Sequence, residues 1–181
     1  MRVRNAIGAG MIVAVLAASG WFVAVSPSRT VTLREEARSL PSAAACAWEQ
    51  PWTNPSYLMS GWSQPETWWH KPGIKVLWSN AREPQVLFHL APDLQNKSVD
   101  VGIKYPAVNA LVEVFVNGQR AGTLDRNAHG NHEAHEFHYR LPGTRADDTI
   151  DIRFRIRDPS LLINDGRYLG VLLEAVKACP G

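Results

Sequence analysis

From Tyr57 to Trp69 the chain reads Tyr-Leu-Met-Ser-Gly-Trp-Ser-Gln-Pro-Glu-Thr-Trp-Trp, and a polar stretch near the other end reads Asn164-Asp165-Gly166-Arg167-Tyr168. Sugar rings carry apolar C–H faces that stack on exposed aromatic rings, while carboxylates and guanidiniums bond the hydroxyls. Trp62, Trp68 and Trp69, with Glu66, Asp165 and Arg167, are therefore the candidate carbohydrate-binding residues. The same residue types have a plainer use. Trp62 and Trp68 can fill the edge of a core, and Glu66 can pair with Arg167 to lock two loops together. Trp69, followed by His70 and Lys71, is open to either an exposed or a packed role.

The histidines form a second set. His129, His132, His135 and His138 recur at every third residue. Imidazole is a common ligand of zinc, copper and nickel. A strand, however, puts residues three apart on opposite faces, no cysteine lies nearby, and Glu133 and Glu136 can equally be solvated. A solvated hairpin end is the simpler reading, and neither a metal nor another cofactor is expected. For catalysis, a glycosidase needs two facing carboxylates and a serine hydrolase a Ser-His-Asp set. Glu66 with Asp165 is such a pair only on paper, and neither Gly-x-Ser-x-Gly nor His-Glu-x-x-His occurs. The chain reads as no enzyme. A net charge of +2 with no basic stripe also argues against nucleic acid as a partner.

Taken together, the Tyr57–Trp69 stretch, Asp158-Pro159-Ser160 and the run from Asn164 to Val171 resemble a carbohydrate-binding-module-like β-sandwich domain. Such domains are associated with bacterial membrane proteins and glycosyltransferases of cell-surface polysaccharide synthesis. They read Gly-Trp-Ser/Tyr-x-Pro-Glu-x-Trp-Gly near the start. They end on a proline-containing loop, Asp-x-Arg-x-Leu-Gly and a last apolar strand. The resemblance covers Tyr57 to Ala178, and this chain departs from it with Trp69 in place of a glycine and Lys71 in place of a tryptophan. It implies a non-catalytic, carbohydrate-recognising or accessory module in envelope polysaccharide biosynthesis or export. The implied partners are a glycan or polysaccharide and a multi-span membrane protein such as a glycosyltransferase. The alternative is a structural subunit of a membrane protein complex with no sugar site. Whether the tryptophan rings lie exposed beside a pocket or packed away separates the two.

The elements that must position these residues are strands. Thr149 to Arg157 alternates Ile150, Ile152, Phe154 and Ile156 with Asp151, Arg153 and Arg155, a period of two that puts the first set inward and the charges outward. Val99, Val101, Ile103 and Tyr105 alternate in the same way, as do Val112, Val114 and Val116. The latter run into Asn117-Gly118, the favoured two-residue hairpin turn. Further strands are expected over Ile74–Ser79, Gln85–Ala91, Glu136–Leu141 and Leu169–Lys177. Eight or nine short strands with turn signals predict an all-β, antiparallel β-sandwich of the jelly-roll or galactose-binding-like kind.

Ahead of the sandwich, Ala6 to Val25 carries no charge and is almost wholly apolar. At ~1.5 Å per residue such a helix spans ~30 Å of hydrocarbon. Arg2 and Arg4 precede it, so the positive-inside tendency keeps the N-terminus cytoplasmic. The expected order is a cytoplasmic tail (1–5), a transmembrane anchor (6–25), a spacer (26–45) with a short helix over Thr32–Leu40, and the sandwich (46–181). That places a single-pass protein in a bacterial inner membrane, its domain periplasmic or otherwise extracytoplasmic. A cleaved signal peptide is the competing reading, with Ala17-Ala18-Ser19 inside the apolar run and Ala43-Ala44-Ala45 far beyond it. Cys46 and Cys179 flank the sandwich, and sandwich termini often lie close. In an oxidising compartment a Cys46–Cys179 disulfide is expected, two free thiols being the alternative.

Overall fold

The computed structural model describes residues 27–124, 134–143, 148–158, 160–161 and 168–181. In chain order the elements are α1 (Pro27–Arg38), β1 (Tyr57–Ser60), β2 (Glu66–Thr67), β3 (Lys75–Trp78), β4 (Gln85–His89), β5 (Val99–Tyr105), β6 (Ala107–Val108) and β7 (Leu111–Val116). Then follow β8 (Gln119–Thr123), β9 (His135–Leu141), β10 (Thr149–Arg157), β11 (Ser160–Leu161), β12 (Tyr168–Leu169), β13 (Val171–Leu173) and β14 (Ala175–Pro180). The expected anchor lies outside the described residues, and no described helix is long and apolar enough to cross a membrane. Residues 33–181 make one compact unit, so residues 33–45 of the expected spacer belong with the sandwich. The helix runs Pro27–Arg38 rather than Thr32–Leu40. Proline suits a first helical turn, where its missing N–H would have no partner.

Every strand pairing is antiparallel. One sheet has the order β1-β4-β10-β7-β8. Facing it are β14-β5-β9 and β2-β3-β13-β6, with β11-β12 as a short ribbon. The period-two pattern explains the core. Ile150, Ile152, Phe154 and Ile156 of β10 pack with Val112, Val114 and Val116 of β7, and with Val99, Val101 and Ile103 of β5 from the facing layer. Each fully buried side chain of this kind contributes about 1.5–3 kcal/mol. A second cluster joins Trp68, Val76, Trp78, Ala107, Leu169 and Leu172. At the β7–β8 hairpin Asn117 and Gly118 have φ of 51° and 80°, the left-handed geometry the two-residue turn needs.

The outward charges of β10 are not all in water. Asp151 is only 1% exposed. Its carboxylate accepts from Arg153 at 2.8 Å, Gln85 at 2.7 Å and Arg34 at 3.4 Å. Arg34 belongs to α1, which thereby covers part of the sheet's outer face. Two guanidiniums and an amide replace the lost solvation of the carboxylate.

Cys46 and Cys179 are disulfide-bonded across 133 positions of sequence. Just beyond, Glu49 and Val176 exchange a pair of backbone hydrogen bonds of 2.9 Å, which extends β14 by one more partner. A closed loop of this length constrains the unfolded chain by about 5 kcal/mol on the chain-entropy estimate. Replacing both cysteines by serine is expected to remove up to that amount, read as a lower denaturant midpoint with a somewhat steeper slope, because the uncrosslinked unfolded chain exposes more surface.

On β9, His138 lies between two carboxylates, with Nδ1 2.9 Å from Asp100 and Nε2 3.2 Å from Glu136. These hydrogen bonds, Asp100 first, raise its pKa. A raised folded pKa favours the protonated folded state. Its contribution is complete below the unfolded value of about 6.5 and is lost as pH rises through the folded value. Denaturant midpoints taken upward from that pH should therefore fall more for the unaltered chain than for His138→Gln. Parallel profiles would remove the effect.

Candidate functional site

A cleft of about 600 Å³ opens beside β1. One wall is the loop Pro51-Trp52-Thr53-Asn54-Pro55, and the other is β1 with the segment Gly61-Trp62-Ser63-Gln64-Pro65 that follows it. Tyr57, Met59 and Leu77 close the back. Three prolines and the cross-links below stiffen both walls, which is what a pre-formed pocket needs.

The loop wall is held from behind by Glu49. Its carboxylate accepts from Tyr57 Oη at 2.5 Å and from Asn54 Nδ2 at 2.9 Å. Asn54 Oδ1 in turn accepts from the Ser56 amide at 2.8 Å. Burial, then the hydrogen bond to Glu49, push the Tyr57 hydroxyl well above its ordinary pKa, so it stays a neutral donor. Since Glu49 is also paired to Val176, the loop is tied to the sandwich at both levels.

The other wall turns on Gly61. Its φ is +78°, and an added Cβ would meet the Ala81 Cβ at 2.9 Å and the Pro84 Cα at 3.0 Å. Only glycine fits both demands. The next residue, Trp62, bridges to Ser79 in the neighbouring layer. Its Nε1 donates to the Gln85 carbonyl at 3.0 Å, and its ring meets Phe154 edge-on at 5.4 Å. The ring is thus fixed while still half-exposed at the cleft. Ser63 completes the wall: its amide donates to the Trp78 carbonyl at 2.9 Å, and its hydroxyl accepts from the Trp78 amide at 3.1 Å.

The six candidate sugar-binding residues separate. Trp62 lines the cleft. Glu66 lies half-buried on β2, in register with Val76. Trp68 is 2% exposed within the second apolar cluster, so protein occupies its ring faces. Trp69 is 63% exposed at the β2–β3 turn, outside the cleft, with His70 against its ring at 5.1 Å. Asp165 and Arg167 lie outside the described residues, as do His129 and His132. Of the histidine run, His135 stacks near Tyr105 and His138 takes the two carboxylates above. No group of three metal-ligating side chains occurs among the described residues.

Trp52 is the residue the motif reading missed. Its signal was present, since a tryptophan between two prolines in Pro51-Trp52-Thr53-Asn54-Pro55 sits on a stiff loop rather than in a strand. The alternation test is silent on such a loop.

No family model matches the chain, and no curated protein matches it. Among solved structures, it is similar to the family 35 carbohydrate-binding module of Paenibacillus barcinonensis, at 10% identity and a TM-score of 0.48, over 75% of this chain and 99% of that one. The family 35 module of Clostridium thermocellum gives 14% identity and a TM-score of 0.48, over 75% and 98%. A family 35 module from an environmental isolate gives 13% and 0.43, over 69% and 96%. All three fall below a TM-score of 0.5.

The two neighbouring tryptophans of the β2–β3 turn offer a direct check of these placements. Trp68→Ala is expected to cost about 3–5 kcal/mol, as core tryptophan truncations do. Trp69→Ala should stay within about 0.5 kcal/mol, as exposed substitutions do. Urea denaturation followed by circular dichroism measures both, and equal losses would contradict the assigned burial.

Proposed function

We propose that this chain is a non-catalytic, carbohydrate-recognising module whose binding site is the cleft beside β1. The observation that carries the reading is that Trp52 and Trp62 line one pre-formed cleft. Stacking needs aromatic faces that do not rearrange on binding, because ordering them then would cost affinity. Trp62 is fixed by its bond to Gln85, and the Trp52 loop by Glu49. Hydroxyl and amide groups of Thr53, Asn54, Ser60, Ser63 and Gln64 stand along the same walls.

In the wider reading the apolar segment Ala6–Val25 anchors the protein in the bacterial inner membrane and the sandwich faces the periplasm. There the module would serve envelope polysaccharide biosynthesis or export beside a multi-span glycosyltransferase. The motif resemblance and the anchor length support this placement, and a disulfide suits an exported domain.

The test is binding of the full chain, in detergent, to an array of envelope glycans. Binding is expected, with a loss of about fivefold to tenfold in affinity for Trp52→Ala at an unchanged melting temperature. Absence of binding to every glycan would sink the reading in favour of a structural subunit.

A further inference from the structure

We infer that the cleft selects an uncharged oligosaccharide, with Ser60 and Gln64 as the groups that read its hydroxyls; this rests on the cleft being the sugar site. Fourteen described residues line the cleft, from Pro51 to Leu77, and no Asp, Glu, Lys, Arg or His is among them. The Glu49 carboxylate stands behind the loop wall with both oxygens already accepting from Tyr57 and Asn54. A uronate or phosphate entering this cleft would lose water and gain no cation, and an unpaired desolvated charge is among the costliest things a site can hold.

Among the described residues no cation lines the cleft. Arg153, Arg155 and Arg157 project from the outer face of β10, paired with Asp151, Glu83 and Glu113 respectively. Lys104 and Lys177 crowd the Trp48 ring on the opposite layer, at 6.0 and 4.2 Å from its centre. A surface built for an acidic polymer would bring such groups to the aromatic cleft. None of the described cations lines this one.

The polar groups of the cleft divide by whether they are free. Thr53 Oγ1 donates to the Gln50 carbonyl. Asn54 spends both side-chain atoms on Glu49 and Ser56. Ser63 Oγ donates to the Gln64 carbonyl and accepts from the Trp78 amide. Besides the Trp52 indole N–H, only Ser60 and Gln64 keep polar side-chain groups without a hydrogen bond among the described residues that line the cleft. Together they offer a hydroxyl and an amide, each a donor and an acceptor, which matches the amphoteric hydroxyls of a neutral sugar.

Isothermal titration of the full chain in detergent, with neutral oligosaccharides (manno-, gluco-, galacto- and xylo-series) and acidic ones (oligogalacturonate, oligomannuronate), tests this. The expected result is binding of a neutral series alone, with affinity unchanged between about 0.05 and 0.5 M salt, because screening acts only on charge. Ser60→Ala and Gln64→Ala should each weaken it about twofold to tenfold at an unchanged melting temperature. Preferential binding of an acidic series, weakening with salt and still weakened in Trp52→Ala, would overturn the ligand class while leaving the cleft as the sugar site. Neutral binding indifferent to both Ser60 and Gln64 would overturn their assigned role. No binding of either series would overturn this inference together with the sugar reading itself.

Discussion

The segment Cys46–Glu49 is fastened to the last strand, and the rest of the site depends on that seam. The disulfide joins Cys46 to Cys179, the Cys46 amide donates to the Ala178 carbonyl at 2.8 Å, and Glu49 and Val176 exchange two further bonds. Four residues are thus held in register at the edge of β14. From there Glu49 reaches the other way, to Tyr57 and Asn54. A single residue therefore transmits the position of the sandwich to the loop that carries Trp52. Without the seam the loop would have to be ordered by the ligand, and each immobilised side chain would then cost about 0.5–1.5 kcal/mol of binding.

The tryptophans show how one residue type is divided among roles by its neighbours. Trp78 of β3 and Trp68, just past β2, meet in the second apolar cluster. Trp48 lies under the Lys177 ammonium, a cation–π contact on the sandwich surface. Trp62 is a border case, its Nε1 satisfied by Gln85 and one edge on Phe154, with the remainder left at the cleft. A tryptophan combines a large apolar face with one donor, so a site that anchors the donor internally frees the face for a ligand.

The strands were legible in the sequence to the extent that alternation was. Thr149–Arg157 coincides with β10 and Val99–Tyr105 with β5, because each repeats inward aliphatic residues over seven or more positions. The Asn117-Gly118 turn was equally plain. Two-residue strands such as β2 and β6 carry no period to read, and the stretch Leu169–Lys177 is cut into three pieces at Gly170 and Glu174. The site was legible only in part. Trp62 was reached through the motif. Trp68, further along the same motif, looks identical on paper, and its burial comes from Trp78 and from the distant Leu169 and Leu172. Trp52 stands before the motif and outside any strand. The burial of Asp151 was also hidden, since its cover comes from Arg34 on the helix.

The separation of charge from the cleft follows from the same geometry. Outward positions of β10 alternate with core positions, so its arginines must appear on the sheet's far face, where Asp151, Glu83 and Glu113 meet them. The cleft instead lies at the sheet edge, built from a proline-bounded loop and from a strand, β1, of Tyr-Leu-Met-Ser with no ionisable outward residue. An edge strand has one backbone side unpaired, which ordinarily invites another strand. Here the loop Pro51–Pro55 faces β1 across the cleft, and proline supplies no N–H for a ladder. The edge is guarded against pairing yet left open to a small polar ligand, which is the combination a sugar site on a sandwich edge requires.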